Sequence, residues 1–598
     1  MALSTPSESP AVVVKEIDLT GGVPNVQSTT GATVIQSTWG PVDERTLVSN
    51  EADLVERFGA PNTTTTFSFH RANMFLKYSS KMQIVRIIDD SATNATATTR
   101  QSGTAGTDSA IHKTSASLNE VVKNETNFNA QLSALDSDKH TFIAKYPGTL
   151  GNSLQVQVCP ADVGDSSFNN WTYKSDFDAP PKTSNAAAKK NNTNDEIHIA
   201  VIDKNGAFTG TKGSVLERFA FLSIARGAKD DAGSTIFAKD VVNDASQYVW
   251  LVGLDSDFNL QSGRRGFDQA FNDSGGNYQL LAPAVKTFNF DSGRDASSLS
   301  QSDVIAGYDL FDDKDQVEID FLIAPGETTR TRQTAAVNHL VSIAQGKRKD
   351  CVVVAGPARQ DIVNQTSTST IVSNIVATAD TFTKSSYLVM DGNYLKVFDK
   401  FNDQFIEIPA ASSTAGIMAA TDLNRAPWFS PAGSRRGQYL GITSIAFSPT
   451  KAQRDTLYKA GVNPIANIPG AGVILFGDKT KLARPSAFDR INVRRLFLVL
   501  ERAISRAAEQ VLFEFNDEFT RAEFVNIVEP VLREVKGRRG ITDFRVVADE
   551  TNNTPEVIDR NEFIASIFIK PARSINFITL NFVAVRTGVD FEEVVGTV

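Results

Sequence analysis

Val493-Arg-Arg-Leu-Phe-Leu-Val-Leu-Glu-Arg-Ala-Ile-Ser-Arg-Ala-Ala-Glu-Gln-Val511 puts Val493, Leu496, Phe497, Leu500, Ile504, Ala507, Ala508 and Val511 on one helical face. Arg494, Arg495, Glu501, Arg502 and Arg506 fall opposite. Burying about five of the large side chains is worth roughly 1.5–3 kcal/mol each before ordering entropy is subtracted. A second helix should start at the capping box Thr520-Arg-Ala-Glu523 and bury Phe524, Ile527, Val528, Val531, Leu532 and Val535. Pro530 should kink or restart it, and Gly537 should end it. Strands are expected at Phe544 to Val547 and Phe563 to Lys570, and Ile575 to Arg586 is the clearest alternation in the chain. Residues 485–585 therefore read as an α+β module: a small sheet flanked by helices. Beyond it runs a strand-like tail carrying Val589, Phe591, Val594 and Val595.

The other end of the chain holds a second isolated strand pattern. Ala11-Val-Val-Val-Lys-Glu-Ile-Asp-Leu19 is β-branched, and Gly21, Gly22 and Pro24 cut it off from the next segment. Such a strand either forms an edge of its own domain or pairs with another chain. In the second case Val12, Val13, Val14, Ile17 and Leu19 are the donors, with Val589, Phe591, Val594 and Val595 at the far end.

Length and composition bound the rest. At 598 residues the chain exceeds one core, and about three to five domains are expected. A net charge of −9 argues against coating nucleic acid, which needs concentrated Lys and Arg. Only Cys159 and Cys351 are present, so a disulfide framework and a cysteine zinc site are not expected. No apolar run approaches the roughly 20 residues that cross a bilayer, and residues 1–10 lack a secretion pattern. The expectation is folding in a reducing cytoplasm, off the membrane.

Between the ends the pattern changes twice. Thr33 to Gln36, a helix near Glu51 to Phe58 and Met82 to Ile88 come first. From Asp89 the composition turns to Ser, Thr, Ala, Gly and Asn, and strands are expected at His140 to Ala144, Leu154 to Val158 and Glu196 to Ile202. Ser175 to Asn194 reads as a long exposed loop. At Val317 a βαβ unit begins: strand to Ala324, a helix capped by Thr328 or Thr329 and stopped by Gly346, then strand Asp350 to Ala355, with the two strands parallel. The helix should bury Ala336, Val337, Leu340, Val341 and Ala344. A helix near Ile371 to Ala377 and strands at Tyr387 to Met390, Leu395 to Asp399 and Phe405 to Ile408 complete the reading.

Catalytic patterns are missing. His70, His112, His140, His198 and His339 sit in separate segments, with no G-x-S-x-G elbow and no H-E-x-x-H pair. Gly470-Ala-Gly472 with Gly477-Asp-Lys-Thr480 has the wrong spacing for a phosphate loop and reads as a turn before the strand Val473 to Phe476. Asp312-Asp-Lys-Asp315 lacks the closing Glu of a calcium loop. No enzyme activity and no cofactor or metal are expected. Arg533, Lys536, Arg538 and Arg539 form a basic run, either a solvated helix end or a docking patch for an acidic surface.

Several stretches resemble the tail sheath proteins of contractile-tailed bacteriophages. They are Asp489-Arg-Ile-Asn-Val-Arg-Arg-Leu496, Phe513-Glu-Phe-Asn516, the Gly537 to Gly540 turn, Ile578-Thr-Leu580 and Gly588-Val-Asp-Phe591. Upstream are Pro427-Trp-Phe-Ser-Pro-Ala-Gly433, Asn463-Pro-Ile465, Pro469-Gly-Ala-Gly-Val473, Ala324-Pro-Gly326, Lys349-Asp-Cys351, Tyr146-Pro-Gly-Thr-Leu-Gly-Asn-Ser-Leu154 and the strand from Val12 to Leu19. Residues 160–310 carry the resemblance least.

The resemblance implies a mixed α/β, multidomain structural subunit that self-assembles in stacked six-membered rings around a tail tube. Its small C-terminal sheet would be completed by strands from neighbouring subunits. It implies extended arms at 1–20 and 586–598, a discontinuous core of 21–90 with 311–484, an inserted β-rich outer region at 91–310 and an inner domain at 485–585. Expected partners are further copies, the tail tube protein, and baseplate and tail terminator proteins, with no membrane and no direct nucleic-acid contact. The place of action would be the virion tail, assembled in the host cytoplasm and contracting for genome ejection. By the same resemblance Arg533, Lys536, Arg538 and Arg539 are candidate tube contacts. A glycan-binding or adhesin-type virion protein is the competing reading, motivated by the Ser/Thr/Asn-rich insertion.

Overall fold

The computed structural model describes residues 29–97, 121–137, 141–254, 264–279 and 284–574. The expected strands at 11–19 and 575–586 and the tail 586–598 lie outside the described residues, and with them all nine candidate strand donors. The described chain divides into two compact units, one of residues 29–427 and 431–491 and the other of 428–430 and 492–574.

The larger unit is built on a six-stranded sheet. Its strands are β1 (Gly31–Ile35), β2 (Arg45–Val48), β3 (Met82–Arg86), β4 (Phe321–Ile323), β5 (Val352–Ala355) and β6 (Leu388–Met390), in the spatial order β6-β5-β4-β1-β3-β2. All neighbours are parallel except β2 on β3. Two segments some 230 residues apart in sequence thus share one sheet, Gly31 lying beside Phe321. The central strands are buried throughout, as a sheet covered on both faces demands. Helices Gln301–Asp309, Arg330–Ser342 and Thr368–Thr381 supply Val304, Tyr308, Val337, Leu340, Ile371 and Ile375 to the core. Gly307 lets the first of these approach closely: a Cβ there would meet Ile87 at 2.5 Å and Val34 at 2.9 Å.

The expected βαβ unit is present and parallel, with Phe321 opposite Val352 and Ile323 opposite Val354. Thr329 caps its helix. Gly346 does not stop it. The chain continues as a π-helical turn, Ile343–Arg348, and ends at Lys349, whose φ is 63°. The wider turn carries Arg348 inward, where its guanidinium donates to the carbonyls of Phe311, Asp313 and Val317 and pairs with Asp350.

Between β3 and β4 the chain builds two antiparallel sheets. One orders Val249–Leu251, Phe142–Pro147 and Asn94–Ala97; the other orders Lys286–Asn289, Leu154–Pro160, Glu196–Asp203 and Ser214–Ser223. Phe142, Leu154, Val156, Ile197, Ile199 and Phe288 share their core. The segment 175–194 is not an exposed loop. Phe177 stacks on His198 with ring centroids 4.7 Å apart, and Ser184 caps a short helix and bonds Asp195. These local polar contacts give no periodicity to read.

Three helices lie outside the sequence reading, Thr66–Leu76, Ala411–Asn424 and Lys451–Lys459, the last of them signalled only by the capping box of Thr450 and Gln453. The first two are buried nearly all round, so no amphipathic stripe marks them. The strands expected after 387 are found at β6, Tyr394–Asp399 and Gln404–Pro409, and Gly470 and Gly472 turn the hairpin Ile465–Ile468 with Gly472–Leu475.

In the smaller unit helix α1 (Ile491–Glu509) leads to α2 (Glu518–Gly537), then β7 (Ile541–Val547) pairs antiparallel with β8 (Ser566–Pro571). Three expectations change. Arg494 and Arg495 are buried, because the start of α1 is enclosed on every side. The cap of α2 is Asp517, which accepts from Thr520 N at 2.8 Å, so Thr520 lies inside the first turn. Pro530 does not interrupt α2. It lies on the exposed side, where water can reach the Asn526 carbonyl that lacks its donor.

A fully buried guanidinium ties the insertion to the central sheet. Arg86 ends β3 and donates to Gly40 O at 2.7 Å, Ser37 O at 3.0 Å and Pro147 O at 2.6 Å. Burial pushes its pKa down to about 10. Arg86→Ala leaves three buried carbonyls without a donor, and at about 1–3 kcal/mol for an unmet group the loss should be at least 2 kcal/mol in denaturant unfolding. Asp391, just past β6, is also fully buried, with the Thr414 hydroxyl donating to it at 2.9 Å. Burial raises its pKa to about 7. The folded state then holds a proton that the unfolded chain releases near pH 4, so this group's contribution to stability falls as pH rises from about 4 to about 7. Asp391→Asn should gain stability relative to the parent at pH 8 compared with pH 4.5; an equal difference at both values would contradict the assignment.

Candidate functional site

The described histidines are committed to the fold. His70 meets Asp399 at 3.0 Å and His339 meets Asp309 at 2.8 Å. Phe221 N donates to His198 Nδ1, so Nε2 carries the proton that bonds Ala179 O at 2.8 Å. Burial alone would raise the Asp399 carboxyl, but hydrogen bonds from Thr66, Asn402 and His70 hold it well below the usual range. Cys159 and Cys351 are both buried and neither forms a disulfide, and burial pushes the Cys159 thiol up to about 12. Among the described residues no group of His, Cys, Asp and Glu could hold a metal ion, and no helix is long and apolar enough to cross a membrane.

What the smaller unit offers instead is surface. Alternation along β7 and β8 turns Phe544, Val546, Ile567 and Ile569 to a half-buried face and Asp543, Arg545, Phe568 and Lys570 to water. The cross-strand pairs on the wet face are Asp543 with Lys570 and Arg545 with Phe568. Among the described residues this sheet has two strands, so each keeps one edge without a partner strand.

The sheet is held against α2 by a small anchor. Trp428 Nε1 donates to Arg538 O at 3.1 Å, and the Arg538 guanidinium lies 5.2 Å from the Trp428 ring. Gly540 makes room for that ring, since a Cβ would come within 3.0 Å of it and 2.6 Å of Val535. Buried Phe524, Val528, Leu532 and Val535 form the inward stripe of α2.

The end of α2 gathers the four candidate basic residues, all exposed. Arg533 pairs with Glu529 at 2.6 Å, Lys536 with Asp543 at 3.1 Å and Arg538 with Glu534 at 3.2 Å. Arg539, at φ 68°, has no ion-pair partner among the described residues. Sequence spacing brings these residues to one helix end but does not show that carboxylates within the unit already occupy three of them.

The turn between α1 and α2 is a feature that sequence patterns miss. Leu512, Phe513, Phe515 and Phe519 are exposed there. A helical pattern that simply ends gives no sign of side chains left in water; the family-like Phe513-Glu-Phe-Asn516 was the available signal.

Residues 301–481 match the family described as the phage tail sheath protein central domain, and residues 483–584 match the phage tail sheath C-terminal domain. The tail sheath protein of Vibrio phage KVP40 is 33% identical over 98% of this chain and 99% of its own length. That of Enterobacteria phage T4 is 30% identical, with the same coverage of both chains. The crystal structure of a sheath tail protein from Listeria innocua shares the fold at 13% identity, with a TM-score of 0.52 over 91% of this chain and 96% of that one.

The ion pairs at the end of α2 are solvent-exposed and of the kind worth about 0–1 kcal/mol. Arg533→Gln with Lys536→Gln should therefore lower the denaturant midpoint of the full chain only slightly. A larger loss would show that these residues hold the unit together rather than face outward.

Proposed function

This chain belongs to the phage tail sheath protein family, and we propose that it polymerises around a tail tube and contracts from a metastable extended lattice, driving the tube through a host envelope for DNA delivery. It works in the virion tail after assembly in the host cytoplasm. Its partners are further copies in stacked six-membered rings, the tube protein, and the baseplate and terminator proteins that bound the tail. Contraction draws on free energy stored at assembly, so it needs no bound nucleotide.

The observation that carries this reading is the pair of edges that the β7–β8 sheet keeps without a partner strand among the described residues. Strands from neighbouring subunits, residues 11–19 and 586–598, complete it in the assembly. Val12, Val13, Val14, Ile17 and Leu19 enter from one end of a neighbour, and Val589, Phe591, Val594 and Val595 from the other. Main-chain pairing of this kind tolerates rotation of the domain bodies, because its strength does not depend on fixed side-chain contacts. Gly21-Gly22 and Thr587-Gly588 are the joints that let the arms leave their own domains.

Each subunit divides the labour among its regions. Residues 21–90 with 311–484 form the core, 91–310 the outer insertion and 485–585 the inner domain facing the tube. One fact supports the first of these, that β1 and β3 share a sheet with β4, β5 and β6, and one the second, that the insertion's buried apolar residues cluster together, joined by Trp39. At the inner face Arg533, Lys536, Arg538 and Arg539 touch the tube, Arg539 being the one of the four without an ion-pair partner among the described residues. Exposed charges suit a contact that must release on contraction. The match to tail sheath proteins along the whole length leaves the glycan-binding reading without support.

Deleting residues 1–20 or 586–598 should leave folded protein, with unchanged circular dichroism, that no longer forms tubes in electron micrographs. Normal tubes from both truncated chains would exclude arm exchange.

A further inference from the structure

Leu512, Phe513, Phe515 and Phe519 expose 60%, 103%, 84% and 77% of their surfaces. Single exposed apolar residues are ordinary, but four within eight positions are a docking feature or an aggregation hazard. The turn that bears them is pinned. Asn516 Nδ2 donates to Glu562 O at 2.8 Å and to Asn553 Oδ1 at 3.3 Å. The buried Arg521 guanidinium donates to Asn516 Oδ1 at 2.9 Å. Phe524 packs edge-on against Phe563 at 5.2 Å beneath it. Phe513 itself sits at φ +72°, a left-handed backbone that is strained for an aromatic residue. A turn held this firmly, with its rings in water, is preorganised for a partner.

Charge says what partner. Around the rings lie Glu509, Glu514, Asp517, Glu518 and Glu523, and the one cation within that stretch, Arg521, is buried. The acidic, aromatic knuckle calls for a basic, aromatic seat. The wet face of β7–β8 is one: Arg545 and Lys570 flank Phe568, which exposes 60% of its surface, while Asp543 on that face is already neutralised by Lys536. Knuckle and seat are exposed at the same time in one chain, so neither covers the other within a subunit.

We propose that the knuckle 512–519 of one subunit seats on the Arg545–Phe568–Lys570 face of a second copy, as a side-chain contact separate from strand exchange. Rings pack on Phe568 and the Glu514 carboxylate meets Arg545. Because knuckle and seat are different surfaces, the contact is head-to-tail and propagates from copy to copy rather than closing as a two-fold dimer. It depends on salt where arm pairing does not, so it adds orientation and specificity to the lattice. This inference rests on the self-assembly proposed above.

The test uses full-length chains. Phe513→Asn with Phe515→Ser should keep the parent's unfolding midpoint, since Asn accepts the left-handed backbone, yet raise the concentration needed for polymer about tenfold or more. Glu514→Arg should weaken assembly, and adding Arg545→Glu should restore it. In parallel, Phe513→Cys chains are mixed with Phe568→Cys chains under mild oxidation. The native thiols are buried, so the cross-link expected between the two variants reports the contact alone. Tubes without this cross-link, with no effect of the knuckle substitutions, overturn the contact and spare the sheath reading. Cross-linking without tubes overturns the sheath reading and keeps the contact. Neither tubes nor cross-linking overturns both.

Discussion

A strand edge is a row of main-chain N–H and C=O groups that must find partners in water, in another strand or under a covering element. The β7–β8 sheet presents two such edges among the described residues, and the rest of the smaller unit is arranged around keeping them presentable. Helix α2 covers one face through Phe524, Val528, Leu532 and Val535. Trp428 locks the helix end to the strand after it. The opposite face stays wet and charged, with Asp543, Arg545 and Lys570 keeping it from collapsing on itself. A sheet of two strands is marginal alone.

The larger unit solves a different problem, that of joining distant segments. Parallel pairing brings β1 and β3 beside β4, β5 and β6 across an insertion of more than 200 residues. Where those segments meet, loops would leave buried carbonyls unpaired, and arginines answer them. Arg86 gathers Gly40, Ser37 and Pro147; Arg348 gathers Phe311, Asp313 and Val317; Arg71 reaches Val34 and Pro325. Each guanidinium spreads several donors over a fixed plane, so one side chain can satisfy carbonyls from different segments. The two units thus divide rigidity from connectivity: one is knitted internally, the other keeps two strand edges without a partner among the described residues.

Elements with a strong local signature were legible in the sequence. The βαβ unit from 321 to 355, the helix Glu51–Phe58 and the amphipathic α2 announce themselves because periodicity and caps act within a few residues. Helices Thr66–Leu76 and Ala411–Asn424 were not, because burial on every side erases the stripe. The continuation through Gly346 and Pro530 went unread for a related reason. Breaker propensities cost about 1 and 3 kcal/mol, and packing against the core or access to water outweighs them locally.

For the candidate surface, the sequence by itself determined that basic residues would cluster at the end of α2, since that comes from residue order alone. Only the tertiary structure decided that Glu529, Glu534 and Asp543 already neutralise three of those cations, that Arg494 and Arg495 go inside, and that Phe513 and Phe515 between the helices and Phe519 at the start of α2 stay outside. Burial and ion pairing are properties of neighbours brought together across the chain, and a linear pattern carries no record of which neighbours those will be.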